Sequence, residues 1–268
     1  MKALINGITI GYDDKGSGPA VCLIHGFPLD RRMWRPQVMA LASAGYRVIT
    51  PDLRGFGESD ATEGPCTMEL YADDLAALLD YLGVGHAVAG GMSMGGYVLL
   101  NLLERHPDRL TAACFIVSRS GADDEAGKER RLCLAGEVMK SGPRVTAELF
   151  EKILFATKTP RERPELIAEV YGWMLEKDAV GLAGGLLAMR GRKDYTGHLE
   201  GFHLPALVIG AEEDRAVPAE NARALAAGLP QGRLCIIPGA GHLANLEQPE
   251  AFNSCLLEFL NNLPQGST

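Results

Sequence analysis

Residues 87–100 read AVAGGMSMGGYVLL, and the serine at position 93 stands between two methionines with two glycines on each side. Each glycine inside a strand or helix costs roughly 0.5 to 1 kcal/mol relative to alanine. A segment that had only to be stable would not carry four. GMSMG at 91–95 satisfies GxSxG, in which a strand turns sharply into a helix and leaves the serine at the apex in a strained backbone conformation. The flanks fit that geometry, since AVAGG reads as a strand end and YVLLNLLERH as a helix. Ser93 is therefore a candidate nucleophile, and acyl transfer is the chemistry it would serve.

A five-residue pattern is weak alone, so the other parts of such a site must occur where the chain can deliver them. A hydroxyl is a poor nucleophile at neutral pH. It needs a base, and the base needs a third group to fix its tautomer. Of six histidines, His242 follows the last apolar run in LCIIPGAGHLANLEQPEAF, a glycine-containing loop just before a helix. His86, His106, His198 and His203 read as ordinary structural or surface residues. LVIGAEEDRAVP offers Glu212, Glu213 and Asp214; Asp214 is favoured because it stands at the loop end, while the glutamates follow the strand directly. The tetrahedral oxyanion needs preorganised N–H donors. Met94, next to the nucleophile, supplies one, and Phe27 in VCLIHGFPLD supplies the other, with Gly26 keeping the backbone open. His25 in the same stretch reads as a residue that shapes the loop.

These loops need strands to carry them. Short apolar runs at Val21 to Ile24, Arg47 to Thr50, Ala87 to Ala89, Ala112 to Val117, Ala206 to Ile209 and Leu234 to Ile237 suit strands buried on both faces of a parallel sheet. Helical patterns lie between them. Leu75, Leu78, Leu79 and Leu82 keep one face of a helix opened by Thr67, and Phe252, Leu256, Phe259, Leu260 and Leu263 do so behind Pro249. Strand and helix alternate, which predicts a doubly wound α/β sheet. The alternation breaks at about 123–193, where successive helical patterns occur without a strand and predict a helical cap on a single domain spanning 1–268. PQGST at the C-terminus reads as a frayed tail.

Composition narrows the partners. The net charge is -8 from 26 basic and 34 acidic residues, with no basic run to mark a nucleic-acid or anionic-membrane face. The expectation is no nucleic acid, no stable membrane association and a cytoplasmic location; a homodimer is left open. The six cysteines have no CxxC spacing and read as reduced residues, and no motif calls for a metal or any other cofactor.

The order Ser93, Asp214, His242, with HGFP at 25–28, DLRGFGES at 52–59 and GMSMGG at 91–96, resembles the α/β-hydrolase superfamily along essentially the whole chain. The resemblance implies an eight-stranded, mostly parallel, doubly wound sheet. It makes the helical insertion a lid between the sixth and seventh strands, and gives Asp52 and Arg54 structural roles after the fourth. Haloalkane dehalogenases and epoxide hydrolases of that superfamily carry an aspartate where this chain has Ser93, so an alkyl-enzyme route is disfavoured.

Within the superfamily the motifs are similar to those of small carboxylesterases, 3-oxoadipate enol-lactonases and cofactor-free haloperoxidases or perhydrolases. The expected activity is a serine esterase with a Ser93–His242–Asp214 triad that cleaves small to medium acyl esters through an acyl-enzyme. Its partner would be a small-molecule ester or lactone. The alternatives are an enol-lactonase, a carbon–carbon bond hydrolase, a perhydrolase and a slow-turnover small-molecule receptor. Leu149, Phe150, Leu154, Phe155, Met174, Leu186, Leu187 and Met189 are candidates for an acyl pocket or for the core of the cap. Arg130, Arg131, Arg144, Arg161, Arg163, Arg190 and Arg192 are candidates for holding a substrate carboxylate, and Glu148, Glu151 or Glu169 for holding an amine.

Overall fold

The computed structural model describes residues 1–62, 64 and 66–264, so most of the C-terminal stretch read as a frayed tail lies outside the described residues. One eight-stranded sheet organises the chain. Its strands are β1 (Lys2–Ile5), β2 (Ile8–Lys15), β3 (Ala20–Ile24), β4 (Arg47–Pro51), β5 (Ala87–Met92), β6 (Leu110–Ile116), β7 (Ala206–Ala211) and β8 (Gly232–Ile237). Their spatial order is β1-β2-β4-β3-β5-β6-β7-β8. From β4 to β8 every pairing is parallel, whereas β1 with β2 and β2 with β4 run antiparallel.

The six apolar runs read from the sequence correspond to β3 through β8. The hairpin β1–β2 was not among them, because its residues alternate instead of forming a continuous run. Ala3, Ile5, Ile8, Ile10 and Tyr12 face inward, and Asn6 and Gly7 turn the chain with φ of 48° and 79°. An Asn-Gly pair between alternating apolar residues is a strong two-residue hairpin signal.

Helices cover both faces of the sheet. On one lie α1 (Arg35–Ser43), α10 (Ala244–Glu247) and α11 (Pro249–Asn261), packing Leu41, Phe252 and Leu256 with Trp34 against the apolar side chains of β3, β6 and β7. On the other lie α2 (Met68–Tyr81), α3 (Met94–Arg105) and α9 (Ala219–Gly228). Thr67 caps α2 by accepting from the Leu70 N–H at 3.1 Å, and Pro249 stands in the first turn of α11, where its missing N–H costs nothing. Between β6 and β7 lie α4 (Glu125–Ser141), α5 (Arg144–Leu154), α6 (Thr159–Glu162), α7 (Pro164–Leu175) and α8 (Ala179–Gly191), with no strand.

Register decides which loops meet. Ile24 pairs with Gly91, Met92 with Ile116, Ile116 with Ile209, and Ala211 with Ile237. The carboxyl ends of β3, β5, β6, β7 and β8 are thus level, and the segments holding Phe27, Ser93, Arg119, Asp214 and His242 leave the sheet at one edge. Open α/β sheets bind ligands at this edge.

Candidate active site

Ser93 closes β5 and opens α3 with φ 52° and ψ -110°, a conformation that costs on the order of 1 to 3 kcal/mol for a residue with a side chain. The surroundings hold it there. The Ser93 N–H donates to the Ile116 carbonyl at 2.9 Å, and the Ser118 hydroxyl donates to the Ser93 carbonyl at 2.9 Å. The flanking glycines have steric causes: a Cβ on Gly91 would lie 2.2 Å from the Gly95 carbonyl oxygen, and one on Gly95 would lie 2.4 Å from that of Ile24. Strand and helix cross too closely here for any side chain. Ser93 remains partly open while the residues on either side are buried.

His242 and Asp214 form a buried pair. His242 Nδ1 donates to Asp214 Oδ2 at 2.7 Å, which leaves Nε2 free to take a proton. Asp214 Oδ1 accepts the N–H groups of Ala216 at 2.8 Å and Val217 at 2.9 Å, so each carboxylate oxygen has a donor and the buried charge is stabilised. Ser93, His242 and Phe27 line one cavity of about 870 Å³ under the cap. Among the described residues no hydrogen bond joins the Ser93 hydroxyl to His242. Such links commonly tighten only when substrate fills the site.

The Phe27 and Met94 N–H groups, both on buried residues, have no protein acceptor among the described residues. Met94 is the first residue of α3, whose leading N–H groups lack partners within the helix and favour negative charge. His25 shapes the loop before Phe27. It is fully buried, donates from Nδ1 to the Gly26 carbonyl at 3.0 Å and accepts the Leu53 N–H on Nε2 at 3.0 Å. Burial lowers its pKa below the usual histidine value, so the neutral ring bridges the two loops.

Asp52 and Arg54 lie away from this chemistry. Asp52 accepts the Arg31 N–H at 2.9 Å and the Glu58 N–H at 2.9 Å, while Arg54 makes a buried two-bond pair with Asp74 at 2.9 Å. Glu212 and Glu213 likewise serve neighbouring backbone, accepting from Gly239 and Thr157 at 2.8 and 2.9 Å.

Two supporting residues, Ser118 and Glu247, carry no motif in the sequence. Ser118 braces the elbow, as described. Glu247, buried in α10, accepts the Gly241 N–H on Oε1 at 2.8 Å and the Ala156 N–H on Oε2 at 2.8 Å, with the Thr159 hydroxyl also donating to Oε2. It ties the loop before His242 to the cap segment after α5. Burial raises its pKa above the usual carboxylate value even though all three donors pull the other way. The only signal in sequence was its five-residue spacing from His242.

The cap candidates separate once the chain is folded. Leu149, Phe150, Leu186 and Met189 line the cavity, whereas Leu154, Phe155 and Met174 belong to the buried core and Leu187 is exposed. Among the basic candidates, Arg130 and Arg131 line it. Arg163 instead donates to the Leu246 carbonyl at 2.8 Å, and Arg144 pairs loosely with Glu148 at 3.9 Å. Glu169 pairs with Arg35 at 3.1 Å. Among the described residues no His, Cys, Asp and Glu cluster suited to a metal occurs, and no helix is long and apolar enough to cross a membrane.

Comparison with known proteins identifies the fold. The family model described as the alpha/beta hydrolase fold matches residues 19–249. A thermophilic esterase from Thermogutta terrifontis, solved with malate bound, superposes with a TM-score of 0.95 at 38% identity, covering 98% of each chain. The enol-lactonase of Burkholderia xenovorans LB400 superposes at 0.91 with 28% identity, over 98% of this chain and 100% of that one. The bifunctional esterase/perhydrolase DCH of Acinetobacter calcoaceticus is 28% identical over 96% of this chain and 98% of its own length. Since the family match spans most of the residues that build the sheet, its elbow and the loops at its carboxyl edge, the chain belongs to the alpha/beta hydrolase fold family.

Proposed function

We propose that the chain is a serine hydrolase of carboxylic esters. The observation that carries this reading is the buried Asp214–His242 hydrogen bond of 2.7 Å facing the cavity into which the strained elbow presents Ser93. In the proposed reaction Ser93 Oγ attacks the ester carbonyl and its proton passes to His242 Nε2, while Nδ1–H stays on Asp214. The oxyanion accepts from the N–H groups of Phe27 and Met94. Collapse of the intermediate expels the alcohol, which takes the proton from His242. Water, deprotonated by the same ring, then releases the acid and restores Ser93. The apolar lining around Phe27, Leu149, Phe150, Ile153, Leu186 and Met189 suits a short or medium acyl chain.

The test is hydrolysis of p-nitrophenyl acetate, butyrate and octanoate by the wild type and by Ser93→Ala, with folding followed by circular dichroism. Repeated turnover by the wild type and a loss on the order of 10⁴-fold or more in the folded variant are expected. Equal activity in both would refute the assignment. A single turnover ending in a stable adduct would favour the receptor reading.

The names of the relatives favour a second reading of the same site. An enol-lactonase opens a ring by the same steps, and a perhydrolase lets hydrogen peroxide replace water in deacylation, forming a peracid. Peracid formation from acetate and peroxide that vanishes in Ser93→Ala would support the latter.

A further inference from the structure

The cavity wall beside the nucleophile carries more positive charge than its own acid balances. Asp123, with its side chain almost fully buried, accepts from Arg119, from Arg131 and from both terminal nitrogens of Arg192 at 2.8 and 2.9 Å. Burial opposes its ionisation, but the Arg192 and Arg131 hydrogen bonds dominate and hold it far below the usual carboxylate range. Three guanidinium groups therefore converge on the Asp123 carboxylate, with Asp194 near Arg192, in a chain of net charge -8.

Arg192 is fully employed. It also donates to the carbonyls of Gly121 at 3.0 Å and Met189 at 2.8 Å and lies 4.3 Å from the centre of the Tyr97 ring. The other two are not. Among the described residues Arg119 gives one bond to Asp123 and its Nε is buried without a partner, and Arg131 reaches beyond Asp123 only to the Met189 sulfur at 3.3 Å. Both line the cavity that Ser93 and His242 line. Arg119 directly follows Ser118, whose hydroxyl holds the Ser93 carbonyl, so chain connectivity sets it next to the elbow.

The remaining charged lining does not cancel this excess. Glu129, Arg130 and Glu137 are exposed residues of α4 and are solvated, and Arg215 donates to the Phe155 carbonyl at 2.9 Å. The Arg119 and Arg131 side chains keep 34% and 20% of their surface accessible beside the cavity, and the planar fork of a guanidinium matches a carboxylate in both geometry and charge.

We propose that Arg119 and Arg131 bind a carboxylate carried by the substrate, so that the esters or lactones taken at Ser93 are anionic. The inference rests on Ser93 being the nucleophile and names the substrate class of that site. The acyl chain spans the apolar lining while its far end meets the two arginines.

The test compares monomethyl with dimethyl esters of succinic, glutaric and adipic acids, read by proton release, for the full chain. The wild type should favour the monoanionic ester over its neutral diester by at least about tenfold in kcat/KM at low ionic strength. That ratio should shrink as salt rises. Free glutarate or adipate should compete with the monoester. In Arg119→Gln and in Arg131→Gln the ratio should fall by on the order of tenfold, and Arg119→Lys should recover part of it. The salt and competition arms need no variant, so a misfolded mutant does not remove the test. A wild type that hydrolyses the diester as well as the monoester at every salt concentration overturns the anion subsite and leaves the serine hydrolase standing. A monoester preference untouched in both glutamine variants overturns the assignment to these residues. If no ester is cleaved and a fluorophosphonate fails to label Ser93, the nucleophile reading itself falls.

Discussion

Individual side chains divide here into those that would touch substrate and those that hold them. Asp214 belongs to the second kind. Its Oδ1 is taken by two backbone N–H groups, which leaves Oδ2 for His242 and fixes the ring with its proton on Nδ1. Asp214→Asn keeps the shape but presents an amide able to donate to the ring, favouring the wrong tautomer. A fall in kcat of roughly 10³ to 10⁴ is expected, with KM changed little, measured on any ester the wild type accepts. Ser118→Ala should act more gently. It removes one hydrogen bond from a strained residue, so about 1 kcal/mol of stability should be lost in denaturant titration.

Among elements, the β5–α3 crossing and the seam between cap and sheet set the geometry. A Cβ on Gly95 would meet backbone oxygens of both Ile24 and His25, neither of which can move without parting β3 from β5. Gly95→Val should therefore yield little soluble protein, whereas Gly172→Ala in α7, where nothing lies within 4 Å, should raise the melting temperature slightly. Glu247 is one polar tie at the seam, beside Glu213 with Thr157, Arg215 with Phe155 and Arg163 with Leu246. Its replacement by alanine strands three donors, two of them backbone N–H groups, and should cost roughly 3 kcal/mol, read as a shift of about 6 to 12 °C in melting temperature. Because one of those donors is the N–H of Gly241, kcat should fall in the same variant even at temperatures where it is folded. The buried Lys177–Asp30 ion pair makes a further tie, to the loop that follows Phe27.

For the molecule as a whole, acid stability should decline in two stages, the upper one partly offset by Glu247, whose raised pKa makes the folded chain take up its proton before the unfolded chain does. His25 is buried neutral with its pKa below the unfolded value of about 6.5, so below that pH the unfolded chain binds a proton that the folded chain refuses. Its contribution is complete above about pH 6.5 and is lost as pH falls from there towards the folded value. Asp30 and Asp123 act lower. Burial alone would raise them, but the arginines and Lys177 hold both well below the ordinary carboxylate value of about 3.9. Their contribution is present above that pH and lost beneath it. Urea titrations from pH 8 to 3 should show both limbs, and His25→Gln should abolish the upper one while lowering stability at pH 8. The same pH dependence above pH 4 in His25→Gln as in the wild type would remove His25 from the account.

Much of this was legible in the chain itself. The strands β3 to β8, the α2 cap at Thr67, the turn at Pro249 and the strandless stretch of 123–193 follow from local periodicity and backbone chemistry, which act between residues a few positions apart. The GxSxG pattern was legible for the same reason: glycines are demanded by a turn whose clashes are local or nearly so. The N-terminal hairpin is also written in the sequence, as Asn6-Gly7 between alternating apolar residues, a pattern unlike the continuous apolar runs of the buried parallel strands. What one dimension could not contain is distance across the fold. No local pattern marks Arg119, and Arg192 reads as a candidate for holding a substrate carboxylate; packing gives Asp123 to three guanidinium groups and leaves two of them with free donors. The paired roles of Glu247, and the separation of cap residues into cavity lining and core, arise likewise from contacts between segments tens of residues apart, which register and packing decide and local sequence does not encode.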